Sequence, residues 1–197
     1  MEKIKPHKER RLKEIEVLKA AILKAARDLA IEDGWPKVSI RKIAAIIAYT
    51  PPVIYEHFKN KEAILIELES QGFRQLKYAL EEARESQSDP VEQLLAISST
   101  FWDWAFKNAE YYQVMFNLDG IRSTPPSTEA LKDTGKSIAE VLKQIHLFSA
   151  DTDELFFNWW AMMHGHVSLV MSGQLRGMDN QVKRHMLGGM KRFAKAL

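Results

Sequence analysis

The sequence predicts an all-α protein, and three observations support this fold class. Apolar residues recur at offsets of three, four and seven, which places them on one face of a helix. Ile15, Leu18, Ile22 and Leu29 are one such series. Stretches with this spacing are separated by Ser, Thr, Asp, Asn, Gly or Pro, residues typical of helix starts and ends. The sequence also lacks the regular apolar–polar alternation of half-buried strands.

The N-terminal part is predicted to contain three helices. The first runs from about Arg11 to Asp33 and ends at Gly34. A short second helix follows with Ser39 as its N-cap. The third begins with Thr50 as N-cap and Pro51 at the first helical position, where a missing N–H has no cost.

Six further helices bring the predicted total to about nine. Their clearest start signals are Asn60, the pair Asp89-Pro90, and Asp151, which forms a capping-box pattern with Glu154. The predicted spans are 61–84, 90–106, 109–117, 128–147, 155–174 and 180–196. The loop before residue 128 is rich in Gly and Pro.

Residues 39–65 have the layout of a helix-turn-helix that leads into another helix. The apolar stripe of the first motif helix consists of Ile40, Ile43, Ala44 and Ile47. In the second motif helix, Ile54 and Phe58 are four residues apart and face inward. Such a motif places its second helix in the major groove of DNA. We therefore expect a DNA-binding domain at residues 1–60.

From about Ala20 to Leu65 the chain resembles the DNA-binding domain of TetR-type one-component transcription regulators. The family pattern has Thr or Ser before Ile-Ala, then Ala-Gly-Val-Ser, then Tyr-x-His-Phe-x-x-Lys-Glu-x-Leu. The matching residues are Ser39, Ile43, Ala44, Tyr55, His57, Phe58, Lys61 and Glu62. At the turn, Ala48 has a Cβ where the family has glycine, so we expect a slightly different turn geometry. Tyr49 either covers this turn or reaches DNA.

The first turn of the second motif helix is predicted to lie nearest the bases. Its apolar residues favour contact with thymine methyl groups, while Arg41 is a nearby donor for guanine. The resemblance implies phosphate contacts from side chains around this helix, which would fix its register on DNA. The full predicted set is Ser39, Arg41, Thr50, Pro51, Pro52, Val53, Tyr55, His57 and Lys61. Alternatively, Tyr55 is a packed aromatic and His57 an ordinary surface histidine.

The charge distribution is compatible with this interpretation without requiring it. Residues 1–62 contain 14 Lys and Arg against 9 Asp and Glu, whereas residues 63–197 contain 14 against 17. A basic DNA-binding head on an acidic body and a solvated charged helix explain this asymmetry equally well. The basic arm before the first core helix either contacts DNA or remains in solvent.

Residues 61–197 are rich in aromatic residues and methionine, as an all-helical core requires. The resemblance implies that this second domain also binds a small, largely apolar effector. The predicted lining residues are Trp102, Tyr112, Phe116, Trp159, Trp160, Met163 and His164. The run Trp159-Trp160-Ala-Met-Met-His164-Gly165 resembles a Trp-His-Gly subclass of these regulators. The resemblance further implies that the apolar faces of the last two helices pair with a second copy in a homodimer.

Several other classes of protein are disfavoured. His164 and His166 lie about 200° apart around a helix, so they cannot grip one metal ion. There is no cysteine, and no nucleophile elbow or phosphate-binding glycine loop that would indicate an enzyme. We expect no cofactor. We also expect no membrane association, because no apolar run approaches the roughly 20 residues of a spanning helix. A cytoplasmic location follows as an expectation.

The favoured function is a ligand-responsive transcription regulator, most simply a repressor. It would bind a palindromic operator in double-stranded DNA as a dimer and leave it when a small effector binds. The alternative is a DNA-binding protein without an effector, whose body binds a protein partner or organises the chromosome.

Overall fold

The computed structural model describes residues 6–125, 127–145 and 151–196, and the secondary structure of these residues is helical throughout. The helices are α1 (Pro6–Asp33), α2 (Ile40–Ile46), α3 (Pro51–Tyr55), α4 (Lys61–Glu85), α5 (Pro90–Lys107), α6 (Ala109–Met115), α7 (Thr128–Ile145), α8 (Thr152–Met171) and α9 (Asp179–Ala196). Short 3-10 turns lie at Trp35–Lys37 and Leu118–Gly120. The predicted all-α fold with nine helices is confirmed for the described part of the chain.

The chain forms two compact units. The first contains Met1–Ser70 and Glu110–Pro126, and the second contains Gln71–Ala109 and Ser127–Leu197. The segment with α6 therefore packs with the N-terminal helices, although it lies 40 residues beyond them in sequence. The boundary at residue 60 remains a prediction, because packing does not test where an independently folding DNA-binding domain ends.

The core of the first unit is built by the helix faces that the apolar spacing predicts. Ile22 and Ala26 of α1, Ile43 of α2 and Ile54 of α3 have no exposed surface, and Phe58 is 7% exposed. The side chain of Ser39 caps α2 by accepting the Lys42 amide N–H at 3.4 Å. Asn60 caps α4 by accepting the Ala63 amide N–H at 2.9 Å. These contacts fix α2 and α3 against α1 and set the start of α4.

The turn between α2 and α3 contains a residue in the left-handed region. Ala48 has φ 58°, a conformation that glycine adopts without the clash of a Cβ. The Tyr49 amide N–H then donates to the Ala44 carbonyl at 2.9 Å and closes the turn. Ala48 thus occupies the backbone conformation for which the resembling pattern has glycine. Some local strain is the consequence.

The second unit packs α5, α7, α8 and α9 around an aromatic core. Phe101 of α5 and Trp159, Met163 and Val167 of α8 are fully buried. Asp151 caps α8 by accepting the Asp153 amide N–H at 2.9 Å, so this helix begins three residues before the predicted start. It ends at Met171, before two glycines with positive φ, and not at the predicted residue 174. The predicted end of α7 at residue 147 lies outside the described residues.

Much of the apolar surface predicted for dimerisation is buried within the single chain. On α8, Val167 and Val170 are buried, and on α9 the same holds for Val182, Met186 and Met190. Apolar side chains that keep accessible surface on these helices include Phe157, Leu169, Met171, Leu187 and Phe193. The spacing alone could not separate the two faces, because α8 is apolar around most of its circumference.

Two kinds of site have no support within the described residues. No helix there is both long enough and apolar enough to span a bilayer. The described residues also contain no group of three or more His, Asp or Glu side chains placed to bind a metal ion.

Candidate nucleic-acid interface and apolar core

The short helix α3 presents its first turn to solvent and anchors its other side in the core. Ile54 and Phe58 are buried, whereas Thr50, Pro52 and Tyr55 are exposed. Pro51 and Val53 are half-buried. The side chain of Thr50 makes no capping hydrogen bond, so its hydroxyl is not used to close the helix. This turn offers one hydroxyl and an apolar surface formed by two prolines and a valine.

Further candidate contacts surround α3. Arg41 is exposed on α2, and Tyr55 is 54% exposed. Ser39 is also exposed; its oxygen accepts the capping bond, and its O–H remains a donor. Together these groups present donors beside the apolar turn, which suits contact with phosphates on either side of a groove.

His57 and Tyr49 border an open groove beside α1. Its walls include Arg11 and Leu18 of α1 and Glu56 from the end of α3. Tyr49 is half-exposed and also borders a second groove lined by Val17 and Ile47. Tyr49 therefore lies between α1 and the turn. The structure describes the arm only from Pro6, where α1 begins, so the lysines at positions 3 and 5 lie outside the described residues.

Lys61 occupies a different environment from the other predicted phosphate contacts. Its ammonium Nζ donates to the Trp35 carbonyl at 2.8 Å. Burial lowers the pKa of this lysine below its usual value, although the nearby Glu62 carboxylate opposes that shift. One of its three donors is therefore committed to the protein. Two remain for phosphate, so contact of Lys61 with DNA stays a prediction.

A set of contacts that the sequence did not predict joins α6 to α1. The Arg27 guanidinium donates through Nε to the Glu110 carboxylate at 3.0 Å and lies 4.1 Å from the centroid of the Tyr111 ring. The indole N–H of Trp35 donates to the Glu110 carbonyl at 3.1 Å. Arg27 and Glu110 are 83 residues apart, and no local pattern relates them. A basic residue opposite an acidic one would be recognised only after α6 is placed beside α1.

The second unit contains a small apolar cavity of about 10 Å³. Its lining residues are Phe73, Leu76, Leu80, Phe101, Leu131, Thr134, Gly135, Ile138, Phe156, Trp159 and Trp160. The Phe101 ring meets Trp159 and Trp160 edge-on, at centroid distances of 5.6 and 5.9 Å. A cavity of this size holds about one water molecule, so a larger ligand requires these rings to move.

Gly135 allows the closest packing in this cluster. A Cβ at this position would lie 2.6 Å from the Phe156 ring, closer than packed atoms approach. The ring of Phe156 also stacks near Trp159, at a centroid distance of 6.2 Å. Phe156 is only half-buried, so it can turn away more easily than the fully buried Trp159.

The predicted effector residues fall into three groups. The first lies at the cavity or in the core of the same unit: Trp159 and Trp160 line the cavity, and Met163 is fully buried. The second group, His164 and Trp102, packs against other aromatic rings. His164 stacks on Trp160 at a centroid distance of 5.5 Å, and burial lowers its pKa below the usual value. Trp102 packs against the ring of Phe106 at 4.7 Å.

The third group lies in the other unit, where Tyr112 and Phe116 pack against each other at 4.6 Å. Burial raises the pKa of the Tyr112 phenol well above its usual value. Phe101 and Phe156 are cavity residues that were absent from the predicted lining. Their aromatic character was visible in the sequence, but their direction within the core was not.

Two family models match the chain. Residues 22–68 match the model for bacterial regulatory proteins of the tetR family. Residues 94–188 match the model for a tetracyclin repressor-like C-terminal domain. The predicted Trp-His-Gly subclass remains a prediction, because this match does not identify it. No curated protein matches the sequence.

Several solved structures are similar in fold. A protein of unknown function from Rhodococcus sp. RHA1 aligns with TM-score 0.75 and 20% identity, covering 91% of this chain and 95% of that one. The TetR-family transcriptional regulator PfmR from Thermus thermophilus aligns with TM-score 0.64 and 21% identity, covering 89% and 95%. FadR from Bacillus subtilis, in complex with stearoyl-CoA, aligns with TM-score 0.63 and 20% identity, covering 86% and 98%.

Proposed function

The chain belongs to the TetR family of bacterial transcriptional regulators, and on this premise we propose that it is an effector-released repressor. The family consists of non-enzymatic DNA-binding proteins, as the helix-turn-helix predicted. Repression, a palindromic operator, a homodimer and release by a small, largely apolar ligand form the proposed part. A cytoplasmic location belongs to the same proposal.

The observation that carries the proposal is the exposed first turn of α3 on a buried anchor. Ile54 and Phe58 hold the helix, while Thr50, Pro52 and Val53 provide the surface that would enter the major groove. With apolar residues at this turn, base readout would depend on thymine methyl groups. Arg41 would add contact to a guanine, and Tyr55 with His57 would hold phosphates.

Dimerisation would double a small recognition surface and produce a palindromic site. One helix of five residues buries little surface, whereas two copies can read half-sites about one helical turn apart. Apolar side chains that keep surface on α8 and α9, such as Phe157 and Leu169, would lie in the dimer interface. At Gly188 of α9, an added Cβ would meet only the Arg192 side chain at 3.6 Å. The protomer should therefore stay folded in Gly188→Ala. If this face of α9 forms the interface, the added methyl group should weaken dimerisation by keeping the two protomers apart.

The effector would enter the cavity beside Phe101, Phe156 and Trp160. An aromatic lining with few polar atoms suits an apolar compound, and one fold relative, FadR from Bacillus subtilis, holds stearoyl-CoA. A compound with an acyl chain is therefore one candidate effector. Because the cavity has a volume of only about 10 Å³, binding would select a conformation in which Phe156 has moved.

The contacts of Glu110 join α6 to the DNA-binding helices, so that a shift of α6 on effector binding would reach those helices. The carboxylate binds Arg27 of α1, and the carbonyl binds Trp35, whose own carbonyl accepts from Lys61. A shift of α6 would break or re-form these bonds and so change the orientation of α1 and α4. Release from DNA requires the effector to bind more tightly to that altered state.

The small volume of the cavity also favours the second candidate function. A core with space for about one water molecule is what a DNA-binding protein without a small effector would contain. In that case the body would bind a protein partner or serve chromosome organisation.

Selection of bound fragments from random and genomic DNA, repeated over a salt series, tests the DNA-binding proposal. We expect enrichment of one palindromic site, bound by two protomers. Weak binding without a preferred site and with steep salt dependence would contradict the repressor and favour the second function.

Release of the selected fragment by a panel of apolar compounds tests the effector. Phe156→Leu should lower the potency of an active compound at least tenfold while DNA affinity stays unchanged. The control is Tyr78→Leu, which alters an aromatic residue that is 70% exposed on α4. Equal potency in wild type and Phe156→Leu would contradict this location for the effector.

A further inference from the structure

Arg122 follows the 3-10 turn at Leu118–Gly120, and its side chain is completely buried. The side-chain amide of Asn117 bonds to both the N–H and the carbonyl of Arg122. The Arg122 N–H donates to the Asn117 Oδ1 at 2.7 Å, and the Asn117 Nδ2 donates to the Arg122 carbonyl at 3.2 Å. Asn117 itself adopts φ 49° in the left-handed region. The direction of the Arg122 side chain is therefore set by a closed local structure.

The guanidinium of Arg122 is only partly used by the protein. Its Nη1 donates to the Glu69 carboxylate of α4. Nε and Nη2 are buried and have no acceptor within hydrogen-bond distance among the described residues. In the planar guanidinium, these two nitrogens share one edge, so their N–H groups form a parallel fork. A buried fork of this kind is costly unless something accepts from it.

The charges around the fork decide which acceptor it suits. Glu69 already neutralises Arg122, and a second carboxylate, Glu62, lies close by. Partial burial raises the pKa of Glu62, but bonds from Thr124 and Ser123 and the positive charge of Arg122 outweigh it and lower the pKa. A third negative group would be repelled by both carboxylates. An uncharged carbonyl oxygen would satisfy the fork without adding charge.

We propose that the Nε–Nη2 edge of Arg122 binds a neutral carbonyl group of the effector, such as that of an ester, thioester, lactone or amide. The ligand class is therefore an apolar compound with one uncharged carbonyl. This inference rests on the proposed effector-released function but not on the cavity of the second unit, and it assigns a carbonyl-binding group within the first unit that neither family match assigns.

The position of the fork gives this contact a direct connection to α4. Glu62 and Glu69 are seven residues apart, so they lie on one face of α4 two turns from each other. Glu62 accepts the amide N–H of Thr124 at 2.9 Å and that of Ser123 at 3.3 Å. The loop that contains Arg122 is thus bonded to α4, which follows α3 after residues 56–60. An acceptor bound at Arg122 would change the balance of these bonds.

The test follows the Nε–Hε signal of Arg122 by ¹⁵N NMR in the full-length wild-type protein. The probes are methyl acetate, which has a neutral carbonyl, and acetate, which has a carboxylate. We expect a saturable shift with methyl acetate and at least tenfold weaker binding of acetate. Arg74, an exposed arginine of α4, provides the internal control, and its Nε–Hε signal should respond to neither probe at these concentrations.

Two results would overturn the proposal. A stronger response to acetate would show that the fork prefers an anion. No response to either probe, together with a cross-relaxation signal between Hε and a long-lived water, would show that the fork holds a buried water only.

A variant separates this inference from the proposed function. Arg122→Lys keeps a cation beside Glu69 and removes the fork. It should bind the selected DNA like wild type but require at least tenfold more of a carbonyl-bearing effector for release. If no compound releases wild type from DNA while methyl acetate still shifts the Arg122 signal, the proposed function fails and the subsite stands. If release occurs with equal potency in both proteins, the subsite proposal fails and the proposed function stands.

Discussion

The two units of the chain differ in where they keep the side chains assigned to binding. In the first unit, Thr50, Pro52 and Tyr55 are exposed on or beside a helix that is anchored in the core by Ile54 and Phe58. In the second, Phe101 and Trp159 are fully buried and line a cavity of only about 10 Å³. A surface for DNA can be complete before its partner arrives. A site inside a core forms only when the core rearranges.

This difference implies that substitutions should separate stability from DNA affinity. Removing an exposed side chain of α3 should leave the free energy of unfolding nearly unchanged and weaken DNA binding. Removing an aromatic side chain of the cavity should lower the free energy of unfolding and leave DNA affinity nearly unchanged in conditions where the protein remains folded. A substitution that changed both by similar amounts would break the comparison.

The largest effect is expected for Trp159→Ala. This side chain is fully buried, and its indole N–H donates to the Ser98 hydroxyl at 3.0 Å. We expect the free energy of unfolding to fall by about 3–5 kcal/mol, measured by urea denaturation. Trp159→Phe, which loses the hydrogen bond but keeps an aromatic ring, should lose less. Equal losses in the two variants would contradict the packing argument.

A smaller effect, confined to DNA affinity, is expected for Tyr55→Phe. If the phenol hydroxyl donates to a phosphate, its removal should weaken binding roughly 10- to 100-fold for every DNA sequence, since bonds to charged groups are worth about 1.5–3 kcal/mol. Fluorescence anisotropy with the selected site and with unrelated DNA measures this. Tyr78→Phe removes a hydroxyl from an exposed tyrosine of α4 and is the control. Unchanged affinity would identify Tyr55 as an ordinary surface aromatic.

The strained turn between α2 and α3 predicts an effect of the opposite sign. Ala48→Gly should raise the free energy of unfolding by roughly 0.5–1 kcal/mol, because glycine adopts φ near 58° without a Cβ clash. Ala45→Gly, on the exposed side of α2, should lower it by about 1 kcal/mol. Thermal denaturation of both variants compares them. Destabilisation by both would mean that Ala48 is not strained.

The smallest effect concerns Asp133 in the second unit. Hydrogen bonds from Lys136 and Lys77 lower its pKa from 3.8 to about 2. Its contribution to stability is therefore complete above pH 4 and is lost as the pH falls toward 2. Asp133→Asn should be slightly less stable at pH 7, and denaturation curves of the two proteins should converge near pH 2. A difference that persists at pH 2 would exclude this ion cluster as its cause.

Sequence reasoning reached further in the first unit than in the second, and the reason is physical. Ser39 caps α2 through a local hydrogen bond, and Pro51 occupies the first position of α3, so these two residues mark where their helices begin. Phe58 could be assigned to the core because its offset from Ile54 fixes its face. In the second unit, α8 is apolar around most of its circumference, so spacing could not tell cavity residues from packed ones.

Ion pairs between residues far apart in sequence could not be predicted from local spacing. Arg27 and Glu110 come together only when α6 packs beside α1, and the pair of Glu69 with Arg122 depends on the fold of the loop after α6. Neither pair lies within one helical turn, where charge spacing carries information. The volume of the cavity likewise depends on many side chains at once, and no single motif encodes it.

A uracil scan of the selected site tests the central claim, that the apolar first turn of α3 reads DNA. Each thymine is replaced by uracil, which removes only the C5-methyl group, and the affinity of full-length protein is measured. The account predicts a loss of roughly fourfold at one or two symmetric positions of each half-site, equivalent to about 0.8 kcal/mol per methyl. Val53→Ala should reduce that loss. Uniform affinity across the scan would contradict the claim and show that the apolar turn of α3 does not read bases.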